Sequence, residues 1–116
     1  MTEDAVRMAR PRDLVAVAVG AYEQAWLVHG LRMALCDVLC AMARADAERA
    51  LDGFAARPVP EALKLAWGTV HPIMERLMRG HGYLTDTVAV IRTIAARNVR
   101  EVADAVNEGA EATPAL

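Results

Sequence analysis

Between Leu14 and Arg49, apolar residues recur at alternating spacings of three and four, twice over. One register reads Leu14, Val17, Ala21, Gln24, Val28, Leu31, Leu35, Val38, Met42, Ala45 and Arg49. A second, one place along, reads Val15, Val19, Tyr22, Trp26, His29, Met33, Cys36 and Cys40. Residues spaced this way share a helix face. One apolar stripe asks for one neighbour, whereas two adjacent stripes cover most of the circumference and ask for more.

The spacing and its punctuation predict two long helices. Residues 1–10 read as a loose lead-in, and Pro11 suits a first helical turn because its missing N–H costs nothing there. Helix one is expected over 11–52, with Gly53 as its stop. A turn over 53–60 carries Pro58 and Pro60, and Pro60–Glu61 reads as a helix start with an acid at the positive dipole end.

Helix two is expected over 61–107. Its register runs Leu63, Trp67, Val70, Met74, Leu77, His81, Leu84, Val88, Ile91, Ala95, Asn98, Val102 and Ala105 without a slip. That continuity favours one helix kinked near Pro72 over a break at Gly80–Gly82 with Thr85 as a new cap. Residues 108–116 lack a stripe and are expected to be disordered. The expected fold is one all-α domain, an antiparallel helical hairpin. The second stripe of helix one (Val15, Val19, Tyr22, Trp26, Met33, Cys36, Cys40) is left for a partner chain, making a four-helix bundle.

Composition narrows the function. The formal net charge is −2 and the arginines are scattered, so no nucleic-acid partner is expected. Leu14–Tyr22 is apolar but far short of the ~20 residues of a membrane span. Met1–Asp13 lacks an apolar segment behind a basic end, so no cleaved signal peptide is expected and the chain reads as cytoplasmic when made.

The chemistry-bearing residues read mostly as structural. His29, Cys36 and Cys40 share a stripe, but three dispersed ligands without a fourth are a weak metal constellation, and buried Cys behaves as a small hydrophobe. His81 and Asn98 fall at core positions, where a polar residue sets register. Trp26 is the candidate interface anchor. Arg32, Arg44 and Glu48 are the residue types that line the pocket of a small helical mutase, yet they read as a solvated face. No phosphate loop or nucleophile motif is present, so neither catalytic residues nor a cofactor are assigned.

One resemblance adds to this reading. Trp67 with Gly68 beside it, early in helix two, and the closing run Ala95-Ala96-Arg97-Asn98-Val99-Arg100-Glu101-Val102-Ala103-Asp104 resemble the Trp-X-Gly (ESAT-6-like) family of small type VII secretion proteins, particularly its longer actinobacterial relatives. The resemblance implies a non-enzymatic helical hairpin that pairs with itself or a related small protein. It further implies export in folded form without a cleaved signal peptide. Its motif residues would be Trp67, Gly68, Asn98 and Asp104. Thr69 stands in the family's glycine place, and Val99 and Ala103 stand where an export Tyr and acid would be. The resemblance thus implies a partner that relies on a signal-bearing mate. The other reading is a cytosolic adaptor or antitoxin-like module binding a larger protein.

Overall fold

A computed structural model describes residues 7–29 and 34–112, with side chains placed over 7–28 and 35–106. A short strand β1 (Met8–Ala9) leads into a 3₁₀ turn (Pro11–Leu14) and helix α1 (Val15–His29). Helix α2 (Ala34–Ala50) follows, then strand β2 (Arg57–Pro58), α3 (Val59–Gly80) and α4 (Thr85–Ala112). The chain is all-α apart from the two strands, which pair antiparallel with Met8 opposite Pro58 and Ala9 opposite Arg57.

The four helices pack against one another in one bundle. Each chain neighbour touches the next, α4 closes back on α1, and α1 and α3 meet across the diagonal. Two long helices are therefore replaced by four shorter ones, and distances decide the point. Ala16, Val19 and Glu23 of α1 line one groove with Asp37, Cys40, Ala41 and Arg44 of α2. In an unbroken helix Ala16 and Arg44 would stand about 42 Å apart at 1.5 Å per residue. Likewise Arg92 lies 3.2 Å from Glu75, where an unbroken helix would separate them by about 26 Å. The bundle's longest dimension is 52 Å, shorter than the roughly 63 Å of a 42-residue helix.

The break between α3 and α4 has a local cause. Gly82 has φ +90°, a conformation that side chains with a Cβ avoid. His81 does not belong to the core seam. It is exposed, and its Nδ1–H donates to the Leu77 carbonyl at 2.8 Å, satisfying one of the last acceptors of α3. Leu84, the next position of the register, is exposed as well. Pro72 lies inside α3 on its exposed side, and the helix continues through it. Pro60 and Glu61 occupy the first turn of α3. Helix α4 runs on to Ala112, past the point where a disordered tail was expected.

The core is made of small and medium side chains around two aromatics. Val15, Ala18, Tyr22, Ala25 and Trp26 of α1 meet Leu39, Ala43 and Ala47 of α2, Ala66, Val70, Met74 and Met78 of α3, and Val88, Ile91 and Ala95 of α4. Alanines at close spacing let helix axes approach, and the two large rings fill the space between them.

Candidate functional site

The residues expected to face a partner chain form the inside of the bundle. Val15, Val19, Tyr22, Trp26, Cys36 and Cys40 are all buried, covered by α3 and α4 of the same chain. Met33 lies outside the described residues. The break between α3 and α4 causes this placement: α4 folds back onto α1 and occupies the side that a second chain was expected to cover.

Around Tyr22 the core carries a polar edge. The Tyr22 ring stacks on Trp67 with centroids 5.6 Å apart and lies 6.1 Å from Trp26. Trp67 in turn lies 5.2 Å from the imidazole of His71. The Tyr22 hydroxyl and the Trp26 indole N–H are buried without a hydrogen-bond partner among the described residues. Burial, then the nearby Glu75 charge, holds the Tyr22 phenol far above its ordinary range, with Arg92 opposing weakly. At the α3–α4 turn Tyr83 Oη lies 3.7 Å from Cys36 Sγ. Burial first, then that hydrogen bond and the charges of Cys36 and Cys40, push Tyr83 up to about 12.

No protein-family model, curated protein or solved structure matches this chain. The site is therefore read from its own geometry.

The motif residues of the resemblance separate. Trp67 is half-buried in the aromatic stack, and Gly68 faces outward with open space where a Cβ would sit. Asn98 Nδ2 donates to the Ala21 carbonyl at 3.2 Å and so ties α4 to α1, a register-setting contact of the kind its position implied. Asp104 is exposed. Arg44 and Glu48 pair at 3.0 Å on the outside of α2, a helical i,i+4 contact worth little. Arg32 and the side chain of His29 lie outside the described residues. Among the described residues no three His, Cys, Asp or Glu side chains assemble as a metal site, and no helix is long and apolar enough to cross a membrane.

What remains outside the core is the first stripe. Val28 is 70% exposed, Val38 50%, Leu27 48% and Met42 41%. On α2, Val38, Ala41, Met42 and Ala45 share the face opposite Leu39, Cys40, Ala43 and Ala47, so this helix is apolar on two sides. The ends of α1 and α2 that carry Leu27, Val28 and Val38 lie together, because the two helices run antiparallel. A second missed feature is Glu75, which is buried with His71, Arg79 and Arg92 around it. Its partners His71 and Arg79 stand four residues either side, a spacing visible in the sequence.

Proposed function

We propose that this chain is a non-enzymatic interaction protein that pairs with a second copy of itself, or with a related small helical protein, through the outward face of α1 and α2. The observation that carries the reading is the exchange of roles between the stripes. The Val15–Cys40 stripe is buried in the chain's own core, and the first stripe leaves Val28, Val38 and Met42 in solvent. Large apolar residues gathered on one helix face mark interaction surfaces more often than inert exterior.

A second copy suits this face. Ala41 and Ala45 are small enough to let two α2 helices approach closely. The flanking charges are of both signs and already paired, Arg44 with Glu48 and Arg49 with Asp46 at 3.2 Å, so two copies meet without a block of like charge. A surface carrying both signs can face itself across a two-fold axis.

Light scattering over a range of concentrations tests the reading. The wild-type chain is expected to reach a dimer mass. Val38→Glu with Met42→Glu is expected to hold it as a monomer with unchanged helix content and melting, because neither side chain belongs to the core. A wild-type chain that stays monomeric throughout would contradict self-pairing. The type VII role, as substrate or escort, is the narrower proposal. It rests on the closing run Ala95–Asp104, since the two-helix hairpin is not the fold adopted. Its test is appearance in culture filtrate that depends on an intact secretion system.

A further inference from the structure

We propose that His71, Arg79 and Arg92, gathered on the buried carboxylate of Glu75, form a binding site for a small oxyanion, a phosphate or carboxylate group, at the α3–α4 seam. Glu75 Oε2 faces His71 Nδ1 at 3.2 Å. Its Oε1 accepts a hydrogen bond from Arg92 Nη1 at 3.2 Å and lies 3.6 Å from Arg79 Nη2. One guanidinium would be enough to tie α4 to α3. Two guanidiniums on one carboxylate leave the cluster with a net charge of +1, or +2 when the imidazole is protonated.

The geometry favours a ligand on the outer side of the cluster. The Glu75 side chain is only 9% exposed, whereas those of His71, Arg79 and Arg92 are 35%, 52% and 43% exposed. Each guanidinium carries five N–H donors and gives the carboxylate a small share of them. The rest face outward, held in orientation by the acid behind them. Planar forks of this kind match the paired oxygens of carboxylate and phosphate. The imidazole is oriented from both sides, by Glu75 and by the Trp67 ring, so its Nε2 edge is presented outward beside the arginines.

The surroundings reinforce the excess. From Lys64 to Arg100, Lys64, Arg76, Arg79, Arg92, Arg97 and Arg100 face only Glu75 and Asp86 as acids, in a chain whose net charge is −2. The site lies on α3 and α4 and is independent of pairing through α1 and α2.

The test is a titration of the full chain, followed by nuclear magnetic resonance at the His71 ring and the arginine Nε–H groups. Sodium phosphate and sodium acetate are added separately, against sodium chloride of matched ionic strength. Saturable shifts confined to His71, Arg79 and Arg92 are expected, and the tighter anion names the ligand chemistry. Arg92→Gln is expected to weaken binding by about tenfold or more, the loss of about 1.4 kcal/mol of interaction. Arg100→Gln, on the exposed side of α4, is expected to leave it unchanged. Should Arg92→Gln melt early, Arg79→Gln carries the same expectation with a longer contact to lose. Shifts that grow linearly with both anions, or that survive both substitutions, would overturn the proposal.

Discussion

Replacing Trp26 by alanine is expected to destabilise the isolated chain by about 3–5 kcal/mol, the cost of emptying a large aromatic site in a packed core. Trp26 is fully buried and heads the large side chains of the interior. Small domains are commonly stable by only about 5–15 kcal/mol, so the variant would stand close to unfolding. Urea titration checks this, and the drop in midpoint should be the same at every protein concentration. A midpoint that fell only at low concentration would instead make Trp26 the anchor of an association. Trp26→Phe separates the contributions. It keeps most of the apolar volume and removes an indole N–H that has no partner among the described residues, so its loss should be far smaller.

The second large effect lies at alkaline pH. Tyr22 ionises near 10 when the chain is unfolded and far above that when it is buried beside Glu75. Below pH 10 both states keep the phenol neutral, and no stability is lost. Above pH 10 the unfolded chain releases a proton that the folded chain retains, and stability falls by about 1.4 kcal/mol per pH unit. By pH 12 the loss should reach about 2–3 kcal/mol. Tyr83, raised to about 12, acts in the same direction over the same window. Urea midpoints at pH 10, 11 and 12 should fall steeply for the wild-type chain and distinctly less for Tyr22→Phe. Equal slopes for the two would show that Tyr22 is not the buried phenol.

Much of the fold is legible in the sequence, and the part that is not has a simple geometric cause. The spacing of Val15, Tyr22 and Trp26, the start at Pro60–Glu61 and the passage through Pro72 all read directly as helix. The break after Gly80 is hidden because four residues join α3 to α4, and four residues advance a helix by about one turn. A register of threes and fours therefore crosses the connection unchanged, from Leu77 through His81 and Leu84 to Val88, although His81 and Leu84 face solvent. Four residues also separate α1 from α2, so the stripes of helix one run on in phase.

Which stripe turns inward is harder to read, since both are apolar. The aromatic volume of Tyr22 and Trp26 was the available signal, because large rings are the side chains a core of alanines most needs. At the candidate sites, His71–Glu75–Arg79 was open to reading from helical spacing alone. Arg92 was not, because it joins them only once α4 has folded back. Arginines that look scattered along the chain thus become neighbours.

Thiol labelling of the wild-type protein, diluted until no dimer survives, tests most directly whether the Val15–Cys40 stripe lies inside the chain. Cys36 and Cys40 both belong to that stripe and are buried in the four-helix core. Labelling slow enough to be limited by unfolding is expected, together with prompt reaction of both thiols in denaturant. Prompt reaction of both cysteines in the dilute native protein would contradict it: the stripe would then be open in the single chain and covered only by a partner.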